Sequence, residues 1–113
     1  MKAEEAILAL GALAQESRLE VFRLLVKRGP QGFTPSELAE RTGIPLPTLS
    51  FHLKELQRAQ LIAVRRDGRF LYYSATFDQM QSLIAFLTDK CCSLSEADCD
   101  AACAPIATKK RRA

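Results

Sequence analysis

Between Thr34 and Ala75 the chain carries two helix starts and a hairpin turn in quick succession, and few small folds accommodate that order. Thr34-Pro35-Ser36-Glu37 joins an N-cap threonine to a proline at the first helical position and a glutamate placed to close a capping box, which predicts a helix ending near Thr42-Gly43. After only Gly43-Ile44-Pro45 a second helix follows. It sets Leu49, Leu53 and Leu56 on one stripe, with Pro47, Phe51, Lys54 and Arg58 roughly opposite. Then LIAVRRDGRFLYYSA offers two β-prone runs around Asp67-Gly68, the pair best able to take positive φ at both centres of a two-residue hairpin.

The flanks read as helices. Residues 4–13 bring Ile7, Leu8, Leu10 and Leu13 onto a broad apolar face behind an acidic first turn. ESRLEVFRLLVKR repeats Leu19, Phe22, Leu25 and Val26 at helical spacing and stops at Gly29-Pro30. Phe77–Lys90 carries Met80, Leu83, Ile84 and Leu87 at helical intervals. The fold expected is therefore mainly α with a small β-hairpin: a winged helix-turn-helix in the order helix, helix, helix, helix, strand, strand, helix. Residues 1–90 form its domain, and residues 91–113 a cysteine-containing segment with a basic tail. At 113 residues a multidomain enzyme is excluded, and 48% apolar residues exclude a wholly disordered chain. Ile7, Leu8 and Leu10 with Leu83, Ile84 and Leu87 are more apolar surface than so small a monomer readily hides, so a homodimer joined through the first and last helices is expected. No apolar stretch reaches the ~20 residues of a membrane span, which makes the cytoplasm the default compartment.

Charge is distributed unevenly. The net +3 comes from 16 basic against 13 acidic side chains, four of the former being the closing run Lys109–Arg112, a solvated tail. Residues 48–70 hold five basic and two acidic side chains, whereas residues 71–103 hold one and five. In a winged helix-turn-helix the second helix of the pair enters the major groove and the hairpin touches flanking backbone. Thr48 and Ser50 then suit base edges, Lys54 and Arg58 suit phosphates, and Arg65, Arg66 and Arg69 crowd a tip that repels itself unless a polyanion is near. Phe51 reads as a thymine-methyl contact or a surface accident. His52, the one histidine, lies beside the leucine stripe and reads equally as a DNA contact or a packed, hydrogen-bonded side chain. The same architecture also serves as a protein–protein module, a reading the basic middle disfavours.

LAQESRLEVFRLL, SELAERTGIPLPTLSFHLKELQRAQLI and VRRDGRFLYYSA together resemble the ArsR/SmtB family of metal-sensing bacterial repressors, over about residues 8–90. The resemblance implies a homodimer on a two-fold symmetric DNA operator, released by an inducer, with no enzymatic activity.

All four cysteines, Cys91, Cys92, Cys99 and Cys103, fall within thirteen residues. Thiolates without a histidine favour soft ions: trivalent arsenic or antimony, Cd, Pb, Cu(I) or Zn. Trivalent arsenic takes a pyramid of three thiolates, whereas tetrahedral Zn or Cd would want all four. The family's cysteine pair at the start of the third helix is replaced here by Ser36-Glu37-Leu38-Ala39-Glu40, and the histidines of its zinc sites on the last helix are absent. What remains resembles the arsenic-responsive subset with C-terminal ligands. Arsenic resistance is accordingly the expected context, with arsenite, antimonite or methylarsenite bound by Cys91, Cys92 and Cys99. Cys99 is preferred to Cys103 for its shorter loop, and Cys103 is a substitute or fourth ligand. A thiol redox switch, a Cd-, Pb- or Zn-responsive repressor and a small thiol enzyme or metal carrier are the competing readings.

Overall fold

The computed structural model describes residues 1–95: α1 (Ala3–Leu13), α2 (Glu16–Arg28), α3 (Pro35–Thr42), α4 (Leu46–Arg58), β1 (Ile62–Asp67), β2 (Phe70–Ala75) and α5 (Phe77–Leu87). This is the winged helix-turn-helix order expected. Among these residues no helix is long and apolar enough to cross a membrane.

Local chemistry accounts for the α3–α4 turn. The Thr34 hydroxyl accepts from the Glu37 amide at 3.2 Å while the Glu37 carboxylate accepts from the Thr34 amide at 2.9 Å, which completes the capping box. Gly43 ends α3 at φ +77°, a left-handed cap without a Cβ penalty. Only Gly43, Ile44 and Pro45 separate the two helices. Leu38, Leu49, Leu56 and Leu61 are fully enclosed with Val21 and Leu25 of α2, so the core lies where α2, α3 and α4 meet the root of the wing.

The wing pairs antiparallel from Ile62↔Ala75 at its root to Asp67↔Phe70 at its tip. The turn is therefore centred on Gly68-Arg69, one residue later than Asp67-Gly68. Of these two, only Gly68 has positive φ (+64°), the sign pattern of a glycine-first II′ turn. A third backbone joins this sheet: Phe33 and Tyr73 exchange amide–carbonyl hydrogen bonds of 2.9 and 2.8 Å. The Phe33 ring is held between the Arg28 and Arg41 guanidinium groups, at 4.7 and 4.8 Å. Gly32 makes the approach possible, since a Cβ there would stand 2.6 Å from the Tyr73 carbonyl oxygen.

Helix α1 leaves exposed the apolar residues expected to be too many for a monomer to hide, and α5 is shorter than expected. The inward face of α1 is Ala6, Ala9 and Ala12, while Ile7, Leu8 and Leu10 project outward, Ile7 with 69% of its surface exposed. Small residues let α1 lie close to α2, and its large ones are left uncovered. Helix α5 stops at Leu87, short of Lys90, and Lys90 and Cys92 take positive φ in the turns that follow. Its Leu83 is buried, whereas Ile84 and Leu87 are more than half exposed.

Candidate nucleic-acid interface

Helix α4 sorts its side chains cleanly. Leu49, His52, Leu53 and Leu56 face inward; Thr48, Ser50, Phe51, Lys54 and Arg58 face solvent. Ser50, Lys54 and Arg58 follow one another at four-residue intervals, with Phe51, 55% exposed, in the adjoining row. The helix thus presents hydroxyls near its start, an apolar ring beside them and cations towards its end, a graded surface suited first to base edges and then to phosphates.

His52 departs from the expected DNA contact. Only 6% of its surface is exposed, and its Nδ1 lies 3.3 Å from an Arg18 guanidinium nitrogen on α2. Burial first, and the Arg18 charge second, hold its pKa below the ordinary 6.5, so the imidazole is neutral near pH 7. A histidine with its ring turned into the protein offers nothing to a groove.

The three wing arginines are not equivalent. Arg65 stacks over the Tyr72 ring at 4.8 Å and donates to the Gln31 carbonyl at 2.9 Å, which draws it back towards the scaffold. Arg66 near the end of β1 and Arg69 in the turn are both exposed, and neither joins the one ion pair among the described residues, Arg58–Glu55 at 2.8 Å. That pair is an exposed i,i+3 contact worth only a few tenths of a kcal/mol, so it leaves Arg58 able to exchange its partner for a phosphate. Arg18, Gln31 and Tyr72, which position His52 and Arg65, were not readable as site residues, because two of these contacts span 34 positions and leave no local pattern.

The cysteine site is only partly within reach. Cys91 and Cys92 sit in the turn after α5 with their sulfur atoms 3.4 Å apart. Adjacent cysteines converge here because Cys92 adopts φ +64°, in place of the helical backbone that would splay them. Cys99 and Cys103 lie outside the described residues. Among the described residues no group of three or more metal-ligating side chains occurs.

Comparison with known proteins places this arrangement. A helix-turn-helix domain pattern matches residues 13–65. The chain is 33% identical to the nodulation protein NolR of Rhizobium meliloti over 91 residues, covering 78% of this chain and 72% of that one. It is 34% identical to the "Probable mercury resistance operon repressor" of Streptomyces lividans, over 65% of this chain and 56% of the relative. Among solved structures, the homodimeric winged helix-turn-helix DNA-binding domain Mb0332 of Mycobacterium bovis superposes with a TM-score of 0.60. It is 26% identical and covers 84% of this chain and 88% of that domain.

Proposed function

Since the chain belongs to the ArsR/SmtB family of winged-helix transcriptional regulators, we propose that it is a homodimeric repressor of operator DNA, released by trivalent arsenic at its C-terminal cysteines. The observation that carries this reading is the position of the Cys91–Cys92 pair. It begins four residues after Leu87 of α5, a helix that leaves Ile84 and Leu87 exposed, as α1 leaves Ile7, Leu8 and Leu10 exposed. The Mycobacterium bovis domain is a homodimer, and the exposed apolar residues of α1 and α5, two helices in contact, offer this chain a surface for the same assembly.

Cys91 and Cys92 bring two sulfur atoms to 3.4 Å, close enough to share one soft ion. In the proposed site Cys99 supplies the third thiolate of a pyramidal trivalent arsenic centre. The Streptomyces lividans relative is named for mercury resistance, and mercury is likewise a soft metal.

On the protein side, α4 reads bases through Thr48, Ser50 and Phe51, while Lys54, Arg58, Arg66 and Arg69 neutralise phosphates. A change in the turn after α5 reaches the dimer seam directly, and the spacing of the two α4 helices depends on that seam. Coupling is reciprocal, so operator DNA weakens inducer binding by the factor by which inducer weakens operator binding.

The test is operator release by arsenite, antimonite, methylarsenite, Hg(II), Cd(II), Zn(II) and peroxide, with wild type and with Cys91→Ser, Cys92→Ser and Cys99→Ser. Release by trivalent arsenic that each substitution abolishes supports the reading. Release of the triple variant overturns the site, and release by peroxide alone establishes the redox alternative.

A further inference from the structure

Arg18 occupies an unusual place between three helices. Its amide is held by the Gln15 side chain at 2.8 Å, which fixes its stem at the start of α2. Its Nε donates to the Ala12 carbonyl at 2.7 Å, one of the last-turn carbonyls of α1 that lack an intrahelical partner. Its Nη1 reaches His52 Nδ1 at 3.3 Å. A guanidinium only donates, so Nδ1 is the bare acceptor and the imidazole proton sits on Nε2. Beside this bridge α1 and α4 border a cleft of about 230 Å³, walled by Ile7, Leu8 and Gly11 on one side and Glu55 and Arg58 on the other. The two helices also pack directly against each other, and the Arg18 guanidinium adds hydrogen bonds to both.

We infer that Arg18 is a positioning residue that fastens the recognition helix α4 to the end of α1 through neutral His52, so that displacement of α1 at the dimer seam is carried to the DNA-reading face. The inference rests on the operator-binding reading of α1 and α4. The bridge needs the imidazole lone pair. A proton on Nδ1 removes the acceptor and sets a second cation against Arg18. The charged groups around His52 are Arg18 from α2 and, along the same cleft, Glu55 and Arg58 of α4, already joined to each other; α1 lines that cleft with no charged side chain. Of these, Arg18 is the charge that acts on the imidazole. His52 is also the chain's one histidine, so loss of operator affinity on mild acidification has a single candidate source among the side chains with ordinary pKa values.

Two measurements decide the matter. Operator affinity at fixed salt, taken from about pH 7.5 to about pH 5.5, falls for wild type, by at most about tenfold because the free protein's His52 pKa lies below 6.5, and stays level for His52→Asn, which keeps an acceptor near the Nδ1 position and cannot titrate. A level wild-type profile, or a His52→Asn profile that falls in parallel, overturns the bridge. In the free protein, Arg18→Lys keeps the charge but cannot fork between two acceptors, so it shifts the His52 Nδ1 nitrogen resonance and the amide resonances of residues 49–56. Unmoved resonances overturn the bridge without reference to DNA. Absence of operator binding at every pH sinks the operator reading instead, and the resonance measurement still decides on Arg18.

Discussion

Helices α1 and α4 flank the same cleft, yet they sort their side chains in opposite senses. In α4 the large residues Leu49, Leu53 and Leu56 go inward and the polar ones go outward. In α1 the alanines go inward and Ile7, Leu8 and Leu10 go outward. Helix α4 is therefore completed by its own domain, and what it shows to solvent is available for a polar ligand. Helix α1 is completed only by another apolar surface. In the proposed function this difference separates residues that hold the monomer together from residues that would join two copies, with DNA on one helix and the partner on the other.

The largest effect that could break this contrast is Leu49→Ala, expected to cost about 2–5 kcal/mol in urea unfolding because it opens a cavity in the closed core. Ile7→Ser, by contrast, should leave the folded monomer within about 0.5 kcal/mol of wild type. Its effect should appear in sedimentation, as a dimer dissociating at least about tenfold more readily. An Ile7→Ser monomer as unstable as the Leu49→Ala protein would erase the distinction. Unfolding must be compared at several protein concentrations, since dimerisation adds to apparent stability.

Next in size is Ala9→Leu. At a fully enclosed position it should cost about 1–3 kcal/mol through overpacking, although it raises hydrophobicity on a helix that already displays leucines. A smaller loss, about 1 kcal/mol, is expected for Thr34→Ala, which removes the cap that starts α3. On the DNA side, Arg66→Ala and Arg69→Ala should each lower the slope of log affinity against log salt by about 1. Arg65→Ala should change that slope less, because its guanidinium is held by Gln31 and Tyr72.

The smallest effect is on stability against pH. The folded-state pKa of His52 is lowered below 6.5 by burial and then by Arg18, so its contribution is full above that value. As pH falls through 6.5 the unfolded chain takes up its proton first, and stability declines until the lowered folded value is reached, where it levels off. Urea midpoints of wild type and His52→Asn should therefore diverge only on the acid side.

Much of this was legible in the sequence where the cause is local. The capping box at Thr34, the short α3–α4 connection and the leucine stripe of α4 all depend on neighbours within a turn or two. The outward apolar residues of α1 are legible, but its inner alanine face is not, because alanine carries too little hydrophobic signal to mark a buried side. The end of α5 is not legible because the Met80-to-Leu87 periodicity says nothing of the positive φ that Lys90 takes beyond it. The wing turn slipped by one residue because Asp67-Gly68 is a strong local signal that the Asp67↔Phe70 pairing overrides. The sequence leaves His52 open between a DNA contact and a packed side chain, and gives no sign of Arg65's hold on Gln31, because their partners lie 34 positions away.

The short ladder between Phe33 and Tyr73 has one further consequence. It sews the wing to the segment leading into α3, and α3 is in turn three residues from α4. The helix and hairpin proposed to read the groove and grip phosphates are thus tied to one backbone unit. Any tilt imposed at the dimer seam swings base contacts and backbone contacts off the duplex together, so each half of the dimer should let go of its half-site in a single step, with no stage in which the wing holds on alone.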